Sequence, residues 1–466
     1  MSVTPRSMLD WCQNLLDVEG RRPKRTLAEY LRMVPRLDAL ADLGRGTPVL
    51  VRGDVDAKPG EKIGEGDIRL RSMRETLAFG QKHGWKQIIF GHRGRKPQET
   101  LGKVARRIAE LMDCDVPLVE DWLDESSLRV RDHVTDKIRG SSPGSILVLE
   151  NTRRYEIERV LWKATADDLP KLAEPLATFA NQMAEKIARV YVNEALSAGS
   201  LDTSTTVVPA AMDRVALGNY VAKEFEGPML RCLDTELVIF SGLKIDKLDD
   251  LEAMIGRGKV KTVLAAGSLA MALKKAAARL DGNQFSLGVA EDPRHADKPY
   301  FIPEKRVDQA RRMITEGRGK GIEFVLPVDF ILEDGRESRT IGPGDQQLDI
   351  GPATSDLFER KVGEFIANHK GRPAAAFHNG VFGKFEDPRF AAGTKRFVGQ
   401  LKRLKDSGVE VYVGGGEGGA ALEKYGRPDD VTHVFTAGGT VLNALGSEPV
   451  PYLVALSMAA KRQDPT

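Results

Sequence analysis

Short apolar runs and amphipathic segments alternate along most of this chain. Runs rich in Val, Ile and Phe predict buried strands at 48–52, 86–92, 145–151 and 188–193. Between the third and fourth of these runs, apolar residues recur every three or four positions from Leu169 to Ile187, which predicts one long amphipathic helix. Strands that alternate with helices are typical of a parallel sheet with both faces covered.

A second series of the same kind follows. Its predicted strands lie at 236–242, 261–267, 324–330, 374–380, 409–416 and 432–439. Because 466 residues exceed what one hydrophobic core usually serves, we predict an α/β protein with two Rossmann-like, doubly wound parallel-sheet domains. The predicted division is an N-terminal extension 1–47, a first domain 48–215, a linking helix 216–235, a second domain 236–440 and a C-terminal segment 441–466.

Charge and cysteine usage restrict the function classes. The chain has 69 Lys and Arg against 67 Asp and Glu, a net charge of +2, which argues against a dedicated nucleic-acid binder. Its three cysteines are far apart and lack metal-ligand spacing, as expected of reduced thiols in the cytoplasm. The N-terminus lacks the pattern of a signal peptide and no segment has the apolar length of a membrane span, so we expect a cytoplasmic protein without a membrane partner.

The predicted strand ends of the first domain carry an unusual number of cations. Arg52, His92 and Arg153 end three strands, and Arg69 opens a helix. Because the carboxyl ends of parallel strands share one edge of a sheet, these side chains should form a cup for an anion. Guanidinium groups match the geometry of carboxylate and phosphate.

The second domain instead carries glycines where strands end and helices begin. The segments SGLKIDK (241–247), HNGVFGKFE (378–386), GGGEGGA (414–420) and TAGG (436–439) all have this character. Backbone N–H groups at a helix N-terminus bind anions, and glycine lets a polyphosphate approach the backbone. Gly414, Gly416 and Gly419 also satisfy G-x-G-x-x-G, but the next strand ends without the ribose-binding acid of a dinucleotide site, which disfavours a dehydrogenase.

The order of these motifs resembles the phosphoglycerate kinase family from about residue 48 to the C-terminus. The matching motifs are VRGDVD, DIRLR, GHRGR, LENTRRY, YVNEAL, SGLK, LPVDF, LDIGPAT, HNGVFGKFE, AAGTK, GGGEGGA and THVFTAGG. The resemblance implies two lobes joined by a hinge helix that close on their substrates, with a C-terminal segment returning to the first lobe. It also implies Mg²⁺ with ATP or ADP as cofactor, a small-molecule carboxylate as substrate and a monomeric enzyme.

Site residues follow from the resemblance position by position. Arg69 and Lys244 fall on catalytic positions that neutralise charge on the moving phosphoryl group. Substrate-binding positions are occupied by Arg52, Asp54, Asp56, His92, Arg95 and Arg153. Nucleotide-binding positions are occupied by Gly242, Lys247, Gly267, Asn379, Gly380, Glu386, Gly415, Gly416, Gly438 and Gly439, and the metal-binding position by Glu417.

Several residues depart from the family pattern. Leu201 replaces an arginine, and Ser200 and Thr203 replace its neighbouring histidines. Asp56 replaces an asparagine and adds a negative charge to a site for an anion. On the nucleotide side, one residue is missing between Lys244 and Lys247, Glu417 and Gly418 replace aspartate and threonine, Ala437 replaces a glycine, and His378 replaces a tryptophan as a packing residue.

Three functional hypotheses remain open at this point. The first is a kinase that phosphorylates 3-phosphoglycerate or a related carboxylic acid to its acyl phosphate. The second is a catalytically silent nucleotide-binding protein that kept the kinase fold, which the missing residue between the two lysines favours. The third is ligation through an acyl phosphate, which differs from the first in that an amine captures the product.

Overall fold

A computed structural model describes residues 2–59, 67–94, 96–243, 245–446 and 449–463. Its strands are β1 Pro48–Gly53, β2 Lys86–Phe90, β3 Leu118–Val119, β4 Leu123–Asp124, β5 Arg129–Val130, β6 Ile146–Leu149, β7 Val190–Glu194, β8 Arg214–Leu217, β9 Leu237–Phe240, β10 Thr262–Ala265, β11 Glu323–Val325, β12 Phe330–Leu332, β13 Glu337–Ser338, β14 Gln347–Ile350, β15 Ala375–Asn379, β16 Glu410–Val413 and β17 His433–Val434.

Helices separate most of these strands. They are α1 Pro5–Leu15, α2 Leu27–Met33, α3 Ile68–Ser72, α4 Arg74–Lys82, α5 Gly102–Met112, α6 Asp132–Gly140, α7 Leu169–Lys186, α8 Thr203–Thr206, α9 Asn219–Glu224, α10 Leu230–Cys232, α11 Lys247–Gly256, α12 Gly267–Leu280, α13 Glu304–Gly319, α14 Pro352–Asn368, α15 Ala392–Asp406, α16 Glu417–Tyr425, α17 Gly438–Leu445 and α18 Pro451–Gln463. None of the described helices has the length and apolar character that crossing a bilayer requires.

The chain folds into two compact units. Unit 1 contains the residues up to Glu226 together with those from Pro449 onward, and unit 2 contains the residues between them. Each unit is built on a parallel six-stranded sheet with helices in the connections. The predicted fold class, α/β with two doubly wound parallel sheets, is therefore confirmed.

The sheet of unit 1 has the strand order β3-β6-β2-β1-β7-β8. Strand β1 is paired on both sides, with β2 and with β7, and its apolar residues Val49 and Val51 are buried in the core. The strand order reverses between β1 and β7, so the loops after these two strands diverge. In open α/β sheets such a reversal at the carboxyl edge is where ligands bind.

The sheet of unit 2 has the order β11-β10-β9-β15-β16-β17, and here the reversal lies between β9 and β15. Leu237 and Ile239 of β9 are fully buried, as expected of a central parallel strand. A small antiparallel sheet, in the order β13-β12-β14, belongs to the same unit. The carboxyl ends of β9 and β15 place Ser241 and Asn379 side by side, joined by a backbone hydrogen bond of 2.9 Å.

Two predictions about local structure are wrong. The predicted strand 324–330 is divided, because β11 ends at Val325 in the large sheet of unit 2 and β12 begins at Phe330 in the antiparallel sheet. The linking segment 216–235 is helical only from Asn219 to Cys232, since β8 extends to Leu217 and pairs with β7, and a turn follows Cys232. Its helix passes through a π-helical turn over Phe225–Met229, and the division between the units falls within that turn.

The N-terminal extension packs within unit 1. Helix α1 lies against α7, and the indole Nε1 of its Trp11 donates a 2.8 Å hydrogen bond to the carbonyl oxygen of Thr206 at the end of α8. Helix α18, at the other end of the chain, packs on α2, α8 and β8. The extension and the C-terminal helix thus support the short helix α8 from outside.

Candidate active site

The predicted acceptor residues that the structure describes lie at the carboxyl edge of the sheet of unit 1. Arg52 is the penultimate residue of β1, His92 follows β2, and Arg153 lies in the 3-10 turn after β6. Asp54 and Asp56 follow β1, and Arg69 is in α3. The structure therefore collects these residues at one edge, but it buries several of them: the exposed fraction is 1% for Arg52, 6% for His92 and 8% for Arg153.

Arg52 is held by groups of the protein itself. Its Nε donates to the hydroxyl of Ser204 at 2.9 Å, and its Nη1 donates to the carbonyl oxygen of Gly53 at 2.7 Å. Its Nη2 lies 2.8 Å from His92 Nδ1 and 3.7 Å from the carboxylate of Asp202. The cationic head of Arg52 is thus surrounded by protein acceptors.

Asp202 lies among the predicted cations. Its side chain is fully buried, 3.2 Å from His92 Nδ1 and 3.9 Å from Arg153 Nη2. Its other oxygen accepts a 2.8 Å hydrogen bond from the indole of Trp162, and that ring also stacks against the Arg153 guanidinium at 4.9 Å. A carboxylate of the protein therefore occupies the centre of the cation cluster.

Arg69 is partly exposed, and it bridges the two aspartates that follow β1. Its Nη1 donates to the Asp56 carboxylate at 3.1 Å and to the Asp56 carbonyl oxygen at 2.9 Å, and its Nε lies 3.8 Å from Asp54. Asp56 also accepts the backbone N–H of Gly94 at 2.8 Å. Arg69 is consequently oriented by Asp56, the residue that departs from the family's asparagine.

Burial and neighbouring charges set the ionisation of this cluster. Burial lowers the pKa of His92 and outweighs the raising effect of Asp202, so the ring is neutral near pH 7. Burial by itself raises the pKa of Asp202, but His92 and the guanidinium groups of Arg52 and Arg153 outweigh it and hold the pKa below its usual range. Burial and the charge of Asp202 raise the pKa of the neighbouring Glu158.

Unit 2 contains a cavity of about 550 Å³ at the carboxyl edge of its sheet. Four predicted nucleotide or metal residues line it: Gly242, Gly267, Glu386 and Glu417. The remaining wall is largely apolar and includes Met271, Leu287, Val289, Ile302, Leu348 and Phe382. An apolar slot with a few convergent polar groups suits a planar base with a polar sugar and phosphate chain.

Glycine is required at the cavity and in the loops beside it because the backbone segments approach one another closely. Gly267 has φ +66°, and a Cβ there would lie 2.8 Å from the carbonyl oxygen of Gly242. Gly380 has φ +95°, and its Cβ would lie 2.1 Å from the carbonyl oxygen of Ser241. A Cβ at Gly415 would lie 2.4 Å from the carbonyl oxygen of Phe435. A side chain at any of these positions would push apart two of the loops that follow β9, β10, β15, β16 and β17.

The other predicted nucleotide residues lie around the same sheet edge. Asn379 ends β15, while Gly416 precedes α16 with φ +73°. Gly438 and Gly439 open α17, and a Cβ on Gly438 would lie 3.2 Å from the carbonyl oxygen of Gly415. The N-termini of α16 and α17 therefore begin beside each other, where backbone N–H groups suit an anion.

The side chain of Lys247 reaches the carboxyl end of β9 despite the missing residue before it. It begins α11, and its Nζ donates to the carbonyl oxygen of Ser241 at 3.0 Å. A Cβ on Gly242 would lie 2.8 Å from that Nζ and 3.7 Å from a carboxylate oxygen of Glu417. The carboxylate of Glu417 is the kind of ligand that Mg²⁺ prefers, together with phosphate oxygens.

His378 is a packing residue in the structure. Its ring is 3% exposed and stacks on Phe397, with ring centroids 5.8 Å apart. Burial lowers its pKa to about 4, so the ring is neutral at physiological pH. These contacts agree with its interpretation as a replacement for a buried tryptophan.

Two predicted site residues, Arg95 and Lys244, lie outside the described residues. The sequence interpretation in turn missed residues that the structure places in both sites. Asp202 and Glu158 enter the cation cluster of unit 1, and the loop from Leu287 to Ile302 forms a wall of the cavity in unit 2. The only sequence signal for Asp202 was its position directly after Leu201, in the segment where the family pattern breaks down.

A family model for phosphoglycerate kinase matches residues 40–448 of the chain. The chain belongs to the phosphoglycerate kinase family. Enzymes of this family are ATP-dependent kinases with a carboxylate acceptor, and the family predicted from the motifs is confirmed. The match leaves out the first 39 residues, which include α1 and α2, and the C-terminal helix α18.

Individual relatives are distant but cover nearly the whole chain. The cytosolic phosphoglycerate kinase of Triticum aestivum is 28% identical over 440 residues, 90% of this chain and 97% of the relative. The phosphoglycerate kinase of Salinibacter ruber is 29% identical over 435 residues, 89% of this chain and 97% of the relative.

Solved structures share the fold. Phosphoglycerate kinase from Pyrococcus horikoshii aligns with a TM-score of 0.69 and 24% identity over 92% of this chain and all of that one. The enzyme from Coxiella burnetii aligns with a TM-score of 0.65 and 22% identity, over 91% of this chain and 99% of that one.

Proposed function

We propose that the protein transfers the γ-phosphoryl group of ATP to a carboxylate, with 3-phosphoglycerate or a related carboxylic acid as acceptor. The observation that carries this proposal is the cavity of unit 2, whose glycines lie where loops meet and whose rim holds Glu386 and Glu417. Family membership supplies the reaction class, and the acceptor residues of unit 1 supply the binding groups. We also propose that the protein acts as a monomer in the cytoplasm.

The nucleotide site is proposed from the chemistry of its walls. The adenine ring would lie against Met271 and Leu348, with Glu386 accepting hydrogen bonds from the ribose hydroxyls. The phosphates would lie at the N-termini of α16 and α17, close to Lys247, and the resemblance to the family assigns Lys244 to the transferring phosphate. Glu417 would hold Mg²⁺ together with the phosphate oxygens, and the ion, when bound, offsets the negative charge of those oxygens.

The transfer itself needs little from the protein beyond positioning and charge. A carboxylate is ionised at neutral pH because its pKa is about 4, so no general base is required. One of its oxygens forms a bond to the γ-phosphorus while the bond to the bridging oxygen of ADP breaks, and ADP leaves with that electron pair. Arg69 and Lys244 are the side chains we assign to stabilising the charge on the moving group.

Replacing the proposed catalytic lysine tests this assignment. Lys244→Ala should reduce ADP formation by at least about 100-fold, because one fixed positive charge at the transferring group is lost. ATP affinity measured by calorimetry should stay within about tenfold, since most of the binding surface is unchanged. Lys259→Ala, at an exposed lysine of the same unit, is the matched control and should leave both values unchanged.

Two outcomes would count against the proposal. If Lys244→Ala retains turnover, the role given to this lysine is wrong. If the wild-type protein binds ATP and no carboxylic acid elicits ADP formation, the kinase function itself is wrong. Release of free acyl phosphate, rather than its capture by an added amine, distinguishes a kinase from a ligase.

A further inference from the structure

Within unit 1, the described residues of the acceptor site carry no excess of guanidinium groups over carboxyl groups. The guanidinium groups of Arg52, Arg69 and Arg153 are matched by the carboxylates of Asp54, Asp56 and Asp202, each within 4 Å of at least one guanidinium. The buried Glu158 adds a fourth carboxyl group to the cluster. A site for an acid that also carries a phosphate would need an excess of cations, because each phosphate brings close to two negative charges.

Asp202 is built into this cluster. Its backbone carbonyl oxygen accepts the hydroxyl groups of Thr205 and Thr206 at 2.9 and 2.8 Å, and the Trp162 indole fixes its side chain. The carbonyl oxygen of Thr206 is itself held by Trp11 of the N-terminal extension. The carboxylate is therefore fixed before any ligand arrives, between two of the cations that would otherwise face an anionic substrate.

A buried metal ion is the other use these residues suggest. His92, Glu158 and Asp202 offer ligand atoms within 4.8 Å of one another. The Arg52 guanidinium, however, already lies on His92 Nδ1. Glu158 Oε1 accepts the hydroxyl groups of Thr152 and Ser204, and its Oε2 accepts the backbone N–H of Ser204. The guanidinium groups of Arg52 and Arg153 compensate the negative charge of this cluster. A network of ion pairs and hydrogen bonds therefore accounts for the cluster without a metal ion.

We propose that Asp202 is a specificity residue that adapts the acceptor site to a carboxylic acid without a phosphate or other dianionic group at its distal end. This inference rests on the proposed function and narrows its substrate class. Asp202 repels a dianion that approaches Arg52 and Arg153, whereas a hydroxylated or otherwise neutral acid meets no such repulsion. Leu201, in place of a family arginine, removes a further contact that would favour the dianion.

The test compares two probes that differ only in the phosphate, glycerate and 3-phosphoglycerate, by calorimetry on the full chain. Asp202→Asn keeps the shape of the side chain and removes its charge. We expect this variant to bind 3-phosphoglycerate at least tenfold more tightly than wild type, with glycerate affinity changed less than threefold. Asp202→Glu, which keeps the charge, and Asp132→Ala, at an exposed carboxylate of the same unit, should not show this gain.

A second measurement remains informative if Asp202→Asn is less stable than wild type. Inorganic sulfate should raise the melting temperature of Asp202→Asn more than that of wild type, because an external anion then replaces the missing carboxylate. The inference is overturned if Asp202→Asn shows neither effect, or if wild type already binds 3-phosphoglycerate at least tenfold more tightly than glycerate. Neither measurement requires turnover, so failure of the kinase function would be recognised separately, by absence of ADP formation with every acid.

Discussion

The guanidinium of Arg52 lies 3.7 Å from the carboxylate of Asp202, and both side chains are almost completely buried. Charges removed from water in this way are tolerated only when they are paired and hydrogen-bonded. Removing either partner would leave the other charge buried and uncompensated in unit 1, and the position of the pair at the carboxyl edge of the sheet makes it part of the acceptor site.

Breaking this pair should destabilise the protein strongly. Arg52→Met leaves Asp202 buried without its principal cation, and we expect a loss of about 3–5 kcal/mol in the free energy of unfolding. Adding Asp202→Leu to the same chain should recover at least about 1 kcal/mol, because the uncompensated charge is then absent. Urea denaturation measures both effects.

The control for that experiment is Arg139→Met. Arg139 is 75% exposed and pairs with Asp136, so its removal should change stability by less than about 0.5 kcal/mol. Equal losses at Arg52 and Arg139 would contradict the role we give to the buried pair.

Arg69 should matter for catalysis more than for folding. Arg69→Ala removes a partly exposed cation that Asp54 and Asp56 orient, and we expect kcat to fall at least about 100-fold. Arg71→Ala, two residues later in α3, removes an arginine that pairs with Asp67 and should change kcat less than about twofold. Steady-state kinetics with MgATP and the best acceptor would refute the assignment if both variants were equally active.

Gly267→Ala should weaken nucleotide binding. The new Cβ would lie 2.8 Å from the carbonyl oxygen of Gly242, and both residues line the cavity of unit 2. We expect ATP affinity to fall at least tenfold by calorimetry. Gly282→Ala is the matched control because Gly282 also has positive φ, +74°, but open space around its Cβ position. If the two variants bind ATP equally well, close packing at Gly267 is not what shapes the cavity.

His378 should make the protein less stable in acid. Its pKa is about 4 in the folded protein and about 6.5 in the unfolded chain, so unfolding takes up a proton between these values. The folded state is therefore not penalised for its neutral, buried His378 ring above about pH 6.5, and the free energy of unfolding falls as the pH drops from there toward 4. His378→Phe has no group that titrates at this position. Relative to wild type, its free energy of unfolding should therefore rise by up to about 3 kcal/mol as the pH falls over that range.

Denaturation curves at pH 7 and pH 4.5 measure this shift. Because His378 packs against Phe382 and Phe397, turnover of His378→Phe should persist at pH 7. Loss of turnover without loss of folding would show instead that the imidazole takes part in the reaction.

The fold was largely predictable because the strands of a parallel sheet are continuous apolar runs. The runs around Val49, Ile89 and Leu147 each become a central or near-central strand of unit 1. The prediction was wrong at 324–330, where Pro327 interrupts what looked like one apolar run. Runs as short as Leu118–Val119 give too little periodicity to be recognised.

The candidate site was predictable only as far as strand ends reveal it. Cations at the ends of β1, β2 and β6 were found because their positions repeat, but the pattern does not show whether a charge faces a ligand or another side chain. Asp202 lies beyond β7 in an irregular segment, and only tertiary packing brings it to Arg52. The cavity wall formed by Leu287 and Ile302 was missed for the same reason, since neither residue lies in a helix or a strand.

The most direct measurement is ADP release by the wild-type protein with MgATP across a panel of carboxylic acids that includes glycerate, 3-phosphoglycerate and other hydroxy acids. We expect turnover with at least one acid, formation of an acyl phosphate in equal amount, and a preference for acids without a phosphate. ATP binding without ADP release for any acid in the panel would contradict the account.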